Sequence, residues 1–286
     1  MPEEPIIGLL NPGDMGAAAG QCLTDLGYTV LWASDGRGED SKARAAAAGL
    51  TDAGTPRRLA DQARFILSVC PPHAALDVAW SVHGFTGLYL DANAIAPSTA
   101  REVAQLITGN GGSYADGSII GPPPRAAGTT RLYLSGEHAP AAAALFSGSR
   151  LEPRVTPGPA MAASAVKMAY AAYTKGILGL LLAASALARA EGVEEAMLAE
   201  WATSQPQLAA QLRYAASTSA AKGWRWVGEM EEIAQCMAEA GLPDGFHQAA
   251  AEIFRRSPRN LAGAPGDELT ARLLSTLTGQ TEPAAS

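Results

Sequence analysis

The feature that most constrains this chain is a change of rhythm at Gly158-Pro159. Before it, short apolar runs alternate with Ala-rich amphipathic stretches. Strands are expected at Pro5–Leu10, Thr29–Ala33, Arg64–Cys70, Gly87–Ala92, Ser113–Ile120, Arg131–Ser135 and Glu152–Thr156. Helices are expected at Gly16–Leu26, Ser41–Ala48, Ala74–Val82, Pro97–Thr108 and Ala139–Phe146. Strands that are apolar on both faces and alternate with helices imply a parallel sheet wrapped by helices. After the break only helical periodicity remains. Ala160 to about Ala190 reads as one helix, followed by Glu194–Ser204, Gln207–Ala216, Trp226–Ala240, Phe246–Arg256 and a last helix near Asp267–Leu277. The expectation is an α/β domain over 1–158 and an all-α domain over 159–286, joined by a long interdomain helix.

Composition narrows the function classes. Of the 286 residues only 17% are charged, against roughly 25% in an average soluble chain, and 48% are apolar. Much of the chain must therefore be buried in itself or in a partner. The formal net charge of −7 gives no electrostatic reason to expect nucleic acid or an anionic membrane as partner. Cys22, Cys70 and Cys236 are far apart, and no His/Asp/Glu set has ligand spacing, so neither a disulfide framework nor a metal site is expected. The acidic start Met1-Pro2-Glu3-Glu4 is unlike a signal peptide, and the apolar run Gly176–Ala188 is shorter than a bilayer requires. A cytoplasmic protein is expected. The apolar face of the Ala160–Ala190 helix is too long to cover within one small domain, which implies a second subunit as its cover, in a homodimer.

The turn after the first strand reads Gly8-Leu-Leu-Asn11-Pro12-Gly13-Asp14-Met15-Gly16. A dinucleotide-binding turn normally reads G-x-G-x-x-G between a strand and a helix. Asn11 stands at the first glycine position, and Asn is among the residues most at ease at positive φ. Gly13 would let the backbone approach a pyrophosphate, and Gly16 would let the helix pack on the strand. Asn11, Pro12, Gly13, Asp14 and Met15 are the expected phosphate cradle of a Rossmann-type domain; an ordinary tight turn is the bland alternative. At the end of the second strand, Ser34 with Arg37 nearby suits a 2′-phosphate. NADP(H) is therefore expected over NAD(H), although Asp35 points either way.

Further motifs fall in a recognisable order: Ser68-Val69-Cys70-Pro71-Pro72, Asp91-Ala-Asn93-Ala-Ile-Ala-Pro97, Asp116-Gly-Ser118-Ile-Ile120-Gly121-Pro122, and Lys167 in the long helix. With the Asn11–Gly16 turn, this series resembles the β-hydroxyacid dehydrogenases, relatives of 6-phosphogluconate dehydrogenase. The stretches Lys167–Gly176 and Trp224–Ala234 resemble a subgroup whose C-terminal helical domain has no assigned function. The resemblance implies a cytosolic, dimeric, NAD(P)-dependent enzyme acting on a small molecule. It places Cys70, Pro71 and Asn93 beside the nicotinamide ribose, Lys167 as general acid/base, and Ser118, Ile120, Gly121, Pro122, Thr174, Trp224 and Glu229 around the substrate.

The chemistry agrees with the residue types. A lysine in an apolar setting can protonate a developing alkoxide or accept a proton from an alcohol; the bland alternative is a lysine snorkelling from a packed helix. Ser164, Lys167, Tyr170, Ala171 and Thr174 share one helix face. Three departures from the family pattern stand out. Ala171 replaces an Asn, leaving Tyr170 or Thr174 as the hydrogen-bonding partner of Lys167. Ile120-Gly121-Pro122 replaces Ser-Gly-Gly. Glu229-Met230 falls where a Lys-Asp pair is usual. The substrate implied is neutral, cationic at one end, or held by its carboxylate on another group such as Arg225. The Asp116–Pro122 loop with Leu132–Gly136 also resembles imine reductases, so C=N reduction stays open, as does a non-catalytic NADP(H)-binding protein. His73 and His247 are minor candidates, while His83 and His138 read as surface residues. Glu229, Glu231 and Glu232 form either a solvated face or, with Trp224 and Trp226, part of the substrate pocket.

Overall fold

In a computed structural model, residues 5–258 and 266–279 are described. They divide into two compact units, Met1–Met168 and Ala169–Ser286.

The first unit is built on an eight-stranded sheet with β1 Ile7–Leu10, β2 Val30–Trp32, β3 Thr51–Asp52, β4 Phe65–Ser68, β5 Leu88–Asp91, β6 Ser113–Ile120, β7 Thr130–Ser135 and β8 Leu151–Val155. Its helices are α1 Asp14–Thr24, α2 Glu39–Ala47, α3 Pro56–Gln62, α4 Ala75–Trp80, α5 Pro97–Gly109 and α6 Ala139–Leu145. The strand order is β3-β2-β1-β4-β5-β6-β7-β8. The order therefore reverses direction between β1 and β4, the point where ligands of doubly wound sheets bind. Alternate side chains fill two apolar layers. Ile7, Leu9, Phe65 and Leu67 go to one side, and Leu10, Ile66 and Tyr89 to the other.

Two expectations need correction here. The sheet is mixed, because β7 runs antiparallel to β6. Only nine residues join these strands, too few for the crossover that a parallel pair requires. The short β3 and α3 carried no periodic signal. α3 instead rests on chemistry at its start: Thr55 Oγ1 accepts the Arg58 amide, and Pro56 opens the first turn.

α7, Ala162–Thr174, contains the division between the units. The second unit continues with α8 Gly176–Ala190, α9 Glu194–Ser204, α10 Leu208–Glu239, α11 Gly245–Arg256 and α12 Gly266–Thr278. Leu182, Ala215, Met230, Ile233, Phe254, Leu273 and Leu274 are buried here, and Trp226 meets Phe254 edge-on at 5.2 Å.

The long helix expected over Ala160–Ala190 is interrupted at Lys175. The Ala172 carbonyl, whose helical partner would be the Gly176 amide, accepts instead from His247 Nε2 at 3.1 Å. Taken as one stretch, Ala162–Ala190 is long and apolar enough by composition to cross a membrane, though part of it is buried within the protein. Conversely, the helices expected at Gln207–Ala216 and Trp226–Ala240 are one. Within this helix the Thr218 hydroxyl donates to the Tyr214 carbonyl at 2.6 Å, the back-bond a mid-helix threonine makes. Gly223 is retained mid-helix because a Cβ there would stand 2.8 Å from Ser219 Oγ.

Candidate active site

The turn between β1 and α1 has the shape its sequence implies. Among the described residues Asn11 is the one non-glycine residue with positive φ, at 69°. Its carbonyl accepts the Gly13 amide at 2.9 Å. Gly13 is the N-cap of α1, and a Cβ built on it meets nothing within 4 Å. Open space above a helix N-terminus, with free amides pointing outward, is what a pyrophosphate needs. Pro12 is buried, and its carbonyl accepts from Arg44 Nε at 3.1 Å. Asp14 is exposed and Met15 half-buried in the first turn.

Arg37 donates to Asn11 Oδ1, joining the loop after β2 to the turn after β1. Ser34 faces a residue that sequence reading missed. Its hydroxyl and the Gly54 amide hold the Asp52 carboxyl below the usual carboxylate range. Asp52 ends β3, a two-residue strand without any pattern to flag it.

At the ends of β4 and β5, the expected ribose rim is assembled by hydrogen bonds. Asn93 Oδ1 accepts the Cys70 amide at 2.6 Å, and its Nδ2 donates to Ser68 Oγ at 3.2 Å. The Asn93 amide donates to Asp91 Oδ1 at 3.0 Å. Pro71 is exposed beside this pair. Burial pushes the Cys70 thiol up to about 12, so it is no nucleophile. Burial, and then the nearby Asp116, push the Asp91 carboxyl up to about 7.

β6 carries the expected substrate loop. Ser118 is fully buried, and its Oγ has no hydrogen-bond partner among the described residues. Ile120 is buried as well. Gly121 has φ +130°, which only glycine adopts readily, and the Pro122 carbonyl accepts from Thr130 Oγ1 at 2.6 Å. Lys167 is half-buried and donates from Nζ to the Ile119 carbonyl at 3.0 Å.

Tyr170, Thr174, Trp224 and Glu229 belong to the second unit. Tyr170 is 48% exposed at the edge of the helix face it was expected to share. The Thr174 hydroxyl is engaged by the Tyr170 carbonyl at 2.9 Å. Trp224 carries the Arg225 guanidinium over its ring at 5.0 Å. Glu229 is buried rather than part of a solvated face, and it pairs with Lys175. Sequence reading gave Lys175 no role of its own; no local pattern ties it to a residue 54 positions away. His73 and His83 are exposed, and His83 stacks on Trp80; His138 is half-buried, and His247 is buried. Among the described residues no group of three metal-ligating side chains gathers.

Comparison with known proteins gives this geometry its frame. Residues 188–257 match the family described as "Domain of unknown function (DUF1932)". No curated protein matches the chain at a significant level. A conserved protein of unknown function, reported as structurally similar to 3-hydroxyacid dehydrogenases, is 26% identical with a TM-score of 0.64, covering 94% of this chain and 98% of that one. The Mycobacterium tuberculosis 3-hydroxyisobutyrate dehydrogenase, solved with L-serine, is 18% identical with a TM-score of 0.66, covering 94% and 99%. The chain has the fold of the β-hydroxyacid dehydrogenase-like superfamily. A reductive aminase from Aspergillus terreus, solved with an NADPH derivative, cyclohexanone and allyl amine, is 18% identical, with a TM-score of 0.55 and 94% and 99% coverage. Solved structures of this fold thus include both a dehydrogenase and a reductive aminase.

Proposed function

We propose that this protein is an NADP(H)-dependent oxidoreductase acting on the carbonyl or alcohol of a small substrate. The carrying observation is Lys167, whose Nζ is held on the Ile119 carbonyl at the C-terminal end of β6. Substrates of doubly wound sheets sit at that edge. The residues fit the cofactor. Asn11–Met15 and the open space above Gly13 suit the pyrophosphate, Arg37 suits a 2′-phosphate, and the Cys70–Asn93 rim suits the nicotinamide ribose. Asp52 beside Ser34, with Asp35 next in the chain, opposes a 2′-phosphate. When bound, the nicotinamide supplies or accepts the hydride.

The chain's own work is then proton transfer and placement. In reduction, Lys167 Nζ delivers a proton to the developing alkoxide; in oxidation it withdraws one from the hydroxyl. Ile120 and Pro122 offer an apolar wall without the donors a carboxylate needs. That lack of anion-binding side chains favours a neutral substrate or one cationic at one end. These same features favour imine reduction as the second reading, since an iminium ion needs no anion-binding donor.

Lys167→Ala tests the reading. Cofactor binding persists while turnover of aldehydes, hydroxy acids and imines falls by about 100-fold or more. Full turnover in Lys167→Ala overturns the acid/base role. Exclusive preference for simple hydroxy acids overturns the substrate class.

The apolar residues Tyr173, Ile177, Leu180 and Leu187 are exposed along one face of α7 and α8. This supports a homodimer formed through the helical unit, read as twice the chain mass in solution. A monomeric mass contradicts it.

A further inference from the structure

Two ties, three residues apart on each element, fix α7 along β6. At the first, Asp116 Oδ1 accepts the Ser164 hydroxyl at 2.5 Å and Oδ2 accepts the Ser164 amide at 3.0 Å. At the second, three residues further along both elements, Lys167 Nζ meets the Ile119 carbonyl. Ser135 stands opposite Asp116 in the antiparallel register of β7. Its hydroxyl, with one proton to give, lies 2.7 Å from Asp116 Oδ2 and 2.9 Å from the Ala160 carbonyl, and it accepts the Ala163 amide at 2.9 Å.

The Ala163 and Ser164 amides lie in the first turn of α7, where a helix has no internal acceptors. Helices usually solve this with a local capping side chain. Here two strand residues do it, from 28 and 48 positions earlier in the chain. Asp116, Ser135 and Ser164 are each 1% exposed, so water does not compete for these bonds. A carboxylate at this end also suits the helix dipole. Burial raises the Asp116 carboxyl above its ordinary range, and the Ser164 and Ser135 hydroxyls oppose that rise.

We propose that Asp116 is a positioning residue: with Ser135 and Ser164 it clamps the first turn of α7 to β6 and so sets the reach of Lys167 toward the substrate. The proposal rests on the reading of Lys167 as the acid/base group. A flexible four-carbon stem is aimed mainly by where its helix begins, and Lys167 lies less than one turn beyond the clamp. Misplacing a reacting group by an ångström can cost about 100-fold in rate.

The test compares Asp116→Asn, Ser164→Ala and Lys167→Ala in the full chain. The four lysines, Lys42, Lys167, Lys175 and Lys222, are labelled by reductive 13C-methylation, and Lys167→Ala assigns the Lys167 signal. Turnover is read with NADPH and a panel of small aldehydes and imines. Asp116→Asn is expected to move the Lys167 signal while those of Lys42 and Lys222 stay put. It is also expected to speed exchange of the Ala163 and Ser164 amides, and to lower kcat by about 10- to 100-fold with NADPH affinity unchanged. Ser164→Ala moves the same quantities less. An unmoved Lys167 signal with wild-type kcat in Asp116→Asn overturns the clamp and leaves the role of Lys167 intact. Wild-type turnover in Lys167→Ala overturns that role instead, and the clamp is then judged on the Lys167 signal and amide exchange alone. If Asp116→Asn fails to fold, Ser164→Ala, which keeps the carboxylate, decides by the same readouts.

Discussion

A Cβ on Gly16 would collide with the backbone carbonyl oxygen of Asn11. The β1–α1 turn thus has two glycines with different duties. Gly16 is needed for the protein's own packing, because the obstructing atom is backbone and cannot step aside. Gly13 has open space around it and is needed only if something else comes close. Gly16→Ala is expected to cost about 1–3 kcal/mol by overpacking and to weaken NADPH binding along with the fold. Gly13→Ala is expected to leave the unfolding midpoint nearly unchanged and still weaken NADPH at least about tenfold by blocking the pyrophosphate. Thermal unfolding and NADPH fluorescence titration of the two variants check this. Unchanged NADPH affinity in Gly13→Ala contradicts the cradle.

Arg37, which donates to Asn11, is the cation expected to meet the 2′-phosphate. Arg37→Ala is expected to weaken NADPH by about tenfold or more, the worth of a charge-assisted hydrogen bond, and NADH hardly at all. Equal losses for both cofactors assign Arg37 to turn structure rather than to cofactor choice.

The Asp91 carboxyl, raised to about 7 by burial, makes stability fall with rising pH. Between the unfolded value near 3.8 and the folded value near 7, the native state keeps the proton and the unfolded chain has lost it. The stability lost across this window is about 4 kcal/mol, and Asp116, also raised by burial, adds in the same direction. Asp91→Asn is expected to raise stability at pH 8, leave it unchanged near pH 4, and flatten the profile between. Denaturant unfolding at a series of pH values measures this; identical slopes in the two proteins refute it.

The Lys175–Glu229 pair lies where Glu229 is buried and Lys175 largely so. Removing one member of such a pair costs about 3–5 kcal/mol, while replacing both with apolar residues is close to neutral. Lys175→Met is therefore expected to destabilise the protein strongly, and Lys175→Met with Glu229→Leu to recover most of the loss. A double variant no more stable than the single one would show that the pair does not act as a unit.

What was legible in the sequence follows from range. The Asn11–Gly16 turn, the strands β1, β4, β5 and β6 and the helices α5, α9 and α11 carry their signals locally, as apolar runs, glycines and prolines. The direction of β7 depends on the length of a connection, and reads correctly only once that length is weighed against what a crossover needs. Gly223 in the middle of α10 faces Phe254 of α11, a contact that exists only in the folded unit. The same holds for the site. Lys167 was visible because it falls in the motif order of the β-hydroxyacid dehydrogenases, in an otherwise apolar stretch of helix. Asp52 beside Ser34, Lys175 on Glu229, and the grip of Asp116 on α7 are contacts between distant segments, which periodicity and spacing do not encode.

The central claim is that the β1–α1 turn and its rim bind NADP(H) for hydride chemistry. Fluorescence titration of the purified protein with NADPH and with NADH tests it most directly. The account predicts saturable binding of NADPH, about tenfold tighter than NADH. Absence of binding by either dinucleotide contradicts it.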